Sequence, residues 1–478
     1  MNPKSDAEEL VDLSAAALPS RYAAGDLSPV EVAAASLARI ERLDPTINAF
    51  CFLDSATTLA EARHSERRWA DQAPLGPLDG VPVAVKDTFL TKGWPTRKGS
   101  ATIDPRGPWT VDAPAVARLR ENGAVIVGKT TTPEYAWKAT TDSPANGVTR
   151  NPWDATRTPG GSSGGSAAAL AARMATVALG TDGGGSIRIP AAFCGVVGFK
   201  PTFGRVPFWP ASPFGGLAHA GPMARTVRDA AILFEVIAQP DWRDTTSLPP
   251  LVPGIVDSQR ADAEGLRIAY CPGWTVEPER DIAAAVEEAV SRLEALGANV
   301  ETVDPPFDDP IDAFRVLWNA GAAKALEAVG ADVRRQMDPG LKRAAELGAT
   351  LSALDYLGAL EIRADIAARC ESLLDSHAVL VTPAMPISPF ATGRDVPEAW
   401  PNDDWATWTP YTYPFNLTQE PALVVPCGLT GAGLPIGVQL VGRRHADALV
   451  LAVGAALEEA IDLGQLEPPD PTGPAPTR

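Results

Sequence analysis

Two short blocks rich in glycine and serine constrain this chain more than any other feature of its sequence. The first block is residues 159–166 and the second is residues 180–188. Ser162 lies in the first block and Ser186 in the second. Glycine lacks a Cβ and tolerates a positive φ, so it leaves room around a serine oxygen and lets backbone N–H groups point at one place. The blocks therefore predict a site at which a serine hydroxyl attacks a carbonyl carbon.

Lys86 is the candidate base that would activate such a serine. It follows the apolar run Val81–Val85, which is typical of a buried strand. A serine hydroxyl is a poor nucleophile until a nearby base accepts its proton. A lysine does this near neutral pH only when desolvation or a positive neighbour lowers its pKa. Taken alone, Lys86 could be an ordinary surface lysine, although a lysine that ends an apolar run is less often one; together with the two serine blocks it indicates a catalytic role.

Other catalytic classes fit these residues less well. The four histidines are His64, His219, His377 and His445. None of them lies in a metal-ligand spacing, so we expect no metal ion. Residues 160–164 match the Gly-x-Ser-x-Gly pattern of α/β-hydrolases, but that interpretation leaves Ser186 and Lys86 without a function. The glycine blocks also lack the sequence signatures of nucleotide-binding loops, so nucleotide binding is disfavoured.

Charge and composition bound the partners and the compartment. The formal net charge is −18, whereas binding to a phosphate backbone needs clustered Lys and Arg, so we expect no nucleic-acid partner. The five cysteines are scattered, which favours a reducing cytoplasm. The apolar stretch 167–179 contains Arg173 and is too short to cross a bilayer, so we expect no membrane partner.

Helix and strand patterns alternate along the chain, as in an α/β protein. Ser28–Glu31 is a capping box at the start of one helix, and the apolar stretch 167–179 predicts another helix, built of small residues. We predict a helical segment packed on the core at 1–70, a core with the catalytic residues at 71–240, a linker-like loop at 241–263, a second part of the same domain at 264–465 with a variable aromatic loop at 390–415, and a disordered tail at 466–478.

The sequence blocks resemble the amidase signature family of serine hydrolases. Besides Lys86 and the two glycine blocks, the similarity includes residues 190–195, 198–206, 382–386, 415–418 and 433–442, so it covers nearly the whole chain. The paired blocks with an upstream lysine carry this resemblance, which a single Gly-x-Ser-x-Gly would not. It implies a single α/β/α fold with a large, twisted, mixed and mostly parallel β-sheet flanked by helices. It also implies a hydrolase without a cofactor and, as in many relatives, a homodimer.

The resemblance further implies a Ser-cisSer-Lys triad. Ser186 would be the nucleophile, Ser162 the bridging serine after a cis peptide bond, and Lys86 the base. The backbone N–H groups of Gly183, Gly184, Gly185 and Ser186 would form the oxyanion hole. Family members often carry a bulkier residue at the position of Gly183, a departure that would loosen the loop or enlarge the site. We expect Arg188 to order this loop by satisfying buried carbonyl groups, and the alternative is a contact with a carboxylate of the substrate.

The substrate is less constrained than the catalytic residues. Two aromatic, proline-rich segments carry the candidate substrate-binding residues Phe208, Trp209, Phe214, Trp405, Trp408 and Tyr411. Such segments line an apolar pocket, close over it as a lid or pack the outer shell, and the residues alone leave these interpretations open. The resemblance implies hydrolysis of a small-molecule amide, anilide or carbamate, so urethanase activity belongs to the prediction.

Two rival functions remain. The first is the glutamine-hydrolysing subunit of a tRNA-dependent amidotransferase, which shares the fold and the triad. Members of that type usually differ after residues 204–206, where this chain has the aromatic segment Pro207–Phe214, and this segment suits a polar glutamine poorly. The second is a catalytically silent scaffold, which the joint presence of Lys86, Ser162 and Ser186 argues against.

Overall fold

A computed structural model describes residues 6–251, 263–464 and 466–470 of the chain. The strands are β1 (Phe50–Phe52), β2 (Pro82–Lys86), β3 (Val125–Thr130), β4 (Asp142–Ser143), β5 (Gly147–Val148), β6 (Val177–Asp182), β7 (Val197–Lys200), β8 (His219–Ala224), β9 (Arg267–Tyr270), β10 (Asn299–Thr302), β11 (Val379–Pro383), β12 (Ala422–Leu429) and β13 (Pro435–Gly442). The helices are α1 (Asp6–Asp12), α2 (Leu18–Ala24), α3 (Pro29–Ile47), α4 (Ser55–Ala70), α5 (Pro114–Glu121), α6 (Gly164–Ala171), α7 (Arg188–Cys194), α8 (Val227–Ile237), α9 (Arg280–Ala295), α10 (Ile311–Leu326), α11 (Ala331–Arg334), α12 (Pro339–Gly348), α13 (Ala353–Ser376), α14 (Pro414–Leu417) and α15 (Asp447–Ile461).

One large mixed sheet organises the fold. Its eleven strands lie in the order β1-β3-β2-β6-β8-β7-β12-β13-β11-β9-β10. Strands β3, β2 and β6 run parallel near one end, next to the antiparallel edge strand β1, and β11, β9 and β10 run parallel at the other end. The strands between these two ends pair antiparallel. The predicted α/β fold with a large mixed sheet is confirmed, but parallel pairs are its minority, so "mostly parallel" was wrong. One of the antiparallel pairs in the centre arises because β12 and β13 form a hairpin.

Helices cover both faces of this sheet. Along β2, Val83 and Val85 belong to one buried apolar cluster, whereas Ala84 belongs to the other. Along β11, Val381 and Leu380 divide between the two clusters in the same way. Since successive side chains of a strand point to opposite faces, the sheet is buried on both sides. This is the expected α/β/α layering.

The apolar stretch 167–179 contains the end of a helix and the start of a strand, not the single helix that we predicted. Helix α6 ends at Ala171, Arg173 has a left-handed φ of 58°, and β6 begins at Val177. All residues of both elements are buried. A stretch that is apolar on every side has no helical periodicity, so its division could not be read from the pattern.

Parallel pairing brings the two glycine blocks and Lys86 to one edge of the sheet. Strand β2 ends at Lys86 and pairs in parallel with β6, which ends at Asp182. The carboxyl ends of parallel strands meet at the same edge. The first glycine block lies close to this edge, because α6 begins within the block at Gly164 and packs on β6.

The predicted domain divisions stay predictions. Much of the linker at 241–263 lies outside the described residues, as do residues 471–478 of the predicted disordered tail. Within the described part of that tail, Asp470 accepts a hydrogen bond of 2.7 Å from Arg42. Among the described helices, none combines the length and apolar character that a membrane crossing requires.

Candidate active site

Lys86 lies at the centre of a cluster of hydroxyl groups. Its Nζ donates hydrogen bonds to Ser162 Oγ at 2.7 Å, Thr181 Oγ1 at 2.8 Å and Ser163 Oγ at 2.9 Å. The side chain is completely buried. Burial lowers the pKa of Lys86 well below its usual value of 10.5, although the negative charge of Asp182 opposes this shift. A neutral amine is thus accessible nearer to neutral pH, which is what a lysine base requires.

Ser162 and Ser186, the bridging serine and the nucleophile of the predicted triad, line the same cavity. The bond between Gly161 and Ser162 is a cis peptide, as the family resemblance implies. The backbone N–H of Ser163 donates to the carbonyl of Ser186 at 3.1 Å and so joins the two glycine blocks. In the described part of the chain, the Ser186 hydroxyl makes no hydrogen bond. Proton transfer from Ser186 to Ser162 therefore stays a prediction, and catalytic hydrogen bonds often tighten only when substrate binds.

Ser163 and Thr181 are residues of the lysine environment that the sequence analysis did not identify. The Ser163 hydroxyl donates to the Thr181 carbonyl at 3.1 Å and accepts from the Thr181 N–H at 3.2 Å. Because its proton is committed to that carbonyl, Ser163 can only accept from Lys86. The positions of Ser163 beside Ser162 and of Thr181 inside the second block were the available signals.

The predicted oxyanion donors divide into two groups. Gly183 and Ser186 line the cavity. The N–H of Gly185 instead donates to Asp182 Oδ1 at 2.7 Å, so it already has an acceptor. Of the four predicted donors, Gly183, Gly184 and Ser186 remain the candidates.

Asp182 and Arg188 fix the conformation of the glycine loop. Arg188 is completely buried, and its Nε and Nη2 each lie 3.0 Å from the carboxylate of Asp182. Arg188 also donates to Gln439 at 2.8 Å and to Asn416 at 2.7 Å. Asp182 in turn accepts from the backbone N–H of Ile187 at 3.1 Å. Arg188 thus orders the loop, as expected, but it does so through Asp182 and two side-chain amides and not through carbonyls of the backbone.

Aromatic rings packed against this loop explain why positions 183 and 184 are glycine. A Cβ at Gly183 would lie 2.9 Å from the ring of Trp318, and a Cβ at Gly184 would lie 2.8 Å from the ring of Phe314. The two rings stack with centroids 5.3 Å apart, and Trp318 also stacks on Phe214 at 4.1 Å. The bulkier residue common at position 183 in the family would therefore meet Trp318 here.

Three of the six predicted substrate-binding residues line the cavity, and three do not. Phe208, Trp209 and Phe214 line it, together with Trp318, which sequence analysis missed. The other three residues, Trp405, Trp408 and Tyr411, are not among its lining residues. Their roles as substrate contacts stay predictions.

The three residues away from the cavity make packing contacts. Trp405 lies edge-on to Trp318, with ring centroids 5.3 Å apart. Trp408 stacks on Phe193 at 6.0 Å. Tyr411 donates its hydroxyl to the backbone carbonyl of residue 276 at 2.9 Å. Each of these three side chains is buried.

Comparisons with solved structures find the same fold in amidase signature enzymes. A bacterial aryl acylamidase of the amidase signature enzymes family is 30% identical, covers 94% of this chain and 96% of its own, and superposes with a TM-score of 0.88. A 6-aminohexanoate cyclic dimer hydrolase, solved with its substrate, is 27% identical, covers 96% of this chain and 99% of its own, and has a TM-score of 0.87.

Among curated proteins, the chain is similar to a glutamyl-tRNA(Gln) amidotransferase subunit of Myxococcus xanthus. The two are 39% identical over 95% of this chain and 98% of the relative. This similarity favours the glutamine-hydrolysing alternative over cleavage of aryl amides or carbamates. It also contradicts our prediction of partners, a small-molecule substrate without nucleic acid, because the relative's name contains a tRNA and makes it one subunit of an assembly. The net charge of one chain says nothing about the charge of its partner chains, so it could not exclude a nucleic-acid partner of an assembly.

The amidase family model matches residues 31–451. This match covers far more than half of the chain and includes Lys86, Ser162 and Ser186. Sequence, fold and comparisons therefore agree that the chain belongs to the amidase signature family.

Proposed function

We propose that this protein hydrolyses amide bonds through a covalent acyl-enzyme on Ser186. The observation that carries the proposal is the buried Lys86 amine, held 2.7 Å from Ser162 Oγ beside a cavity that also contains Ser186. Ser186 Oγ attacks the carbonyl carbon while its proton passes through Ser162 to Lys86. The same path returns the proton to the leaving nitrogen as the C–N bond breaks. Water then attacks the acyl-enzyme and releases the acid.

The glycine loop would stabilise the negative charge that develops on the carbonyl oxygen. The N–H groups of Gly183, Gly184 and Ser186 are the proposed donors, and Asp182 fixes the loop by binding the N–H of Gly185. Each oxyanion donor contributes about 3 kcal/mol to transition-state stabilisation in comparable enzymes. No cofactor takes part in the proposed reaction.

The cavity supports an aryl or apolar amide, an anilide or a carbamate as substrate. Phe208, Trp209, Phe214 and Trp318 form an aromatic wall beside Ser186. Apolar surface of this kind favours aromatic or long alkyl groups. A carbamate presents the same carbonyl carbon to the nucleophile, so urethanase activity belongs to the same proposal.

The cysteines in the described part of the chain are free thiols, which supports a reducing compartment such as the cytoplasm.

The second candidate is glutamine hydrolysis within a tRNA-dependent amidotransferase, favoured by the 39% identity to one subunit of such an enzyme. The cavity supports it less, because zwitterionic glutamine presents an ammonium group as well as a carboxylate, and both would need a partner. The charged residues that line the cavity are Lys98 and Asp182, and the Asp182 carboxylate is already bound to Arg188. No uncommitted carboxylate among these lining residues can pair with that ammonium.

The test compares p-nitroanilides, aryl carbamates and glutamine as substrates of the wild type and of Ser186→Ala. Ser166→Ala is the matched control, because Ser166 is a buried serine of the first block that bonds to Thr130 and to the carbonyl of Leu179 instead of to Lys86. We expect amine release from the anilides or carbamates that is lost in Ser186→Ala and retained in Ser166→Ala. Glutamine hydrolysis without anilide or carbamate cleavage, in particular when a partner protein is added, would reverse the order of the two candidates.

A further inference from the structure

The active-site cavity contains one charged group that neither the catalytic steps nor the fold accounts for. Of its two charged lining residues, Asp182 is completely buried and bound by Arg188, by the N–H of Gly185 and by Asn416. Its charge is therefore committed to the glycine loop. Lys98, the other charged lining residue, has no comparable partner among the described residues.

The backbone of Lys98 is fixed on both sides. Its N–H donates to the carbonyl of Asp87 at 3.0 Å, and its carbonyl accepts from the N–H of Tyr135 at 2.7 Å. Its φ of 52° lies in the left-handed region, which a residue with a Cβ rarely adopts without such support. The side chain thus leaves a well-defined point beside Tyr135, which also lines the cavity.

The carboxylate that partly offsets the charge of Lys98 is already engaged. The electrostatic influence of Asp87 on Lys98 is favourable. However, the Asp87 carboxylate also lies 3.6 Å from Lys129 Nζ and accepts from the N–H of Arg97 at 3.2 Å. Among the described residues, no ion pair or hydrogen bond involves the Lys98 amine. The side chain is partly buried, and this desolvation lowers the pKa of Lys98 because it penalises the charged amine.

We propose that the substrate carries a carboxylate that pairs with the ammonium group of Lys98 while its apolar part lies along the aromatic wall. This inference rests on the proposed amide hydrolysis, whose substrate class it narrows. One lysine balances one negative charge, which matches a carboxylate better than a phosphate dianion. The wall of Phe208, Phe214 and Trp318 matches an aryl or alkyl spacer between the carboxylate and the scissile amide.

The test uses pairs of amides that differ only in replacing a carboxylate by the neutral, planar nitro group. One pair is the p-nitroanilide of 4-carboxyphenylacetic acid and that of 4-nitrophenylacetic acid. The other pair carries the carboxylate or the nitro group on the anilide ring of a phenylacetyl amide. The variants are Lys98→Met, which keeps an unbranched side chain, Lys98→Arg, which keeps the charge, and the control Lys92→Met, which removes an exposed lysine of the same segment.

We expect the wild type to prefer the carboxylate member of at least one pair in kcat/KM. The preference should fall about tenfold in Lys98→Met, through KM, because a hydrogen bond to a charged group is lost. It should persist in Lys98→Arg and in Lys92→Met. Hydrolysis of both members at equal rates, or an unchanged preference in Lys98→Met, would overturn the inference and leave the proposed amide hydrolysis intact.

A binding measurement separates the inference from catalysis. Calorimetric titration of Ser186→Ala with the carboxylate amide should show affinity about tenfold above that of Ser186→Ala with Lys98→Met. If this difference is observed but no amide is turned over by the wild type, the proposed function fails while the carboxylate site stands. Equal affinities in the two proteins would overturn the carboxylate site.

Discussion

Lys86 Nζ and Ser162 Oγ lie 2.7 Å apart in a completely buried setting, at the edge of the sheet where the two glycine blocks meet. Lys86 is the last residue of the buried strand β2, and Ser162 lines the active-site cavity. The strand supplies desolvation, which lowers the pKa of the lysine, and the hydroxyl supplies a path from that lysine towards Ser186.

Replacing the base should remove activity and its pH dependence together. Only the neutral amine of Lys86 accepts a proton, so kcat/KM of the wild type should rise with pH through the lowered pKa of Lys86, well below 10.5. Lys86→Met should lower kcat by about a thousandfold. The measurement is a pH profile of kcat/KM for both proteins, with Lys92→Met as the control for loss of an exposed lysine. Retention of wild-type kcat by Lys86→Met would contradict the assignment.

Ser163 should act as a positioning residue for Lys86. Its oxygen accepts from the lysine at 2.9 Å, and this interaction favours the protonated amine. Ser163→Ala should therefore shift the acidic limb of the pH profile to lower pH and reduce kcat by about tenfold through looser positioning. Ser166→Ala, which removes a buried hydroxyl that bonds to Thr130 and Leu179, should leave the limb in place. Identical pH profiles for the wild type and Ser163→Ala would rule this role out.

Gly183 and Trp318 should be coupled. A Cβ at position 183 would lie 2.9 Å from the Trp318 ring, so Gly183→Ala should displace the ring or the loop and lower kcat/KM by about tenfold or more. Trp318→Leu in the same chain should restore part of the loss, because it removes the ring. The control is Gly358→Ala, whose Cβ would meet no atom within 4 Å. A double variant no better than Gly183→Ala would show that the two positions act independently.

Arg188 should stabilise the fold through Asp182. Burial alone would raise the pKa of Asp182, but Arg188 holds it well below its usual value of 3.8. Arg188→Met should cost about 3 to 5 kcal/mol of unfolding free energy near neutral pH, because a buried carboxylate loses its partner. A carboxyl group whose pKa is lowered in the folded protein stabilises the fold at pH values above its ordinary pKa. The difference in unfolding free energy between the wild type and Arg188→Met should therefore shrink as the pH falls below about 3.8.

Denaturant titrations at several pH values measure this effect. The control is Arg106→Met, which breaks the exposed ion pair with Asp104 and should leave the unfolding free energy unchanged. A loss no larger than that of the control would mean that the Asp182–Arg188 pair does not stabilise the loop.

The sequence signals that indicate the candidate catalytic centre are local. The glycine blocks contain Ser162 and Ser186, and the apolar run before Lys86 predicts the strand that buries it. The capping box at Ser28 likewise predicts the start of α3. Each of these signals depends on residues close together in the chain.

Features that depend on distant contacts could not be predicted in the same way. Trp318 lies on α10, and only the packed structure places its ring against Gly183. The aromatic residues of the two loops looked alike in sequence, yet Trp209 lines the cavity whereas Trp408 packs on Phe193. Strand direction at the centre of the sheet is also set by connections between elements and not by local pattern.

The most direct test of the central claim is mass spectrometry of the protein quenched during turnover of a slowly hydrolysed aryl carbamate. We expect the intact mass to rise by one carbamoyl group and peptide mapping to place that group on Ser186, with no adduct in Ser186→Ala. An adduct on Ser162 or elsewhere, or one that persists in Ser186→Ala, would contradict the assignment of Ser186 as the nucleophile.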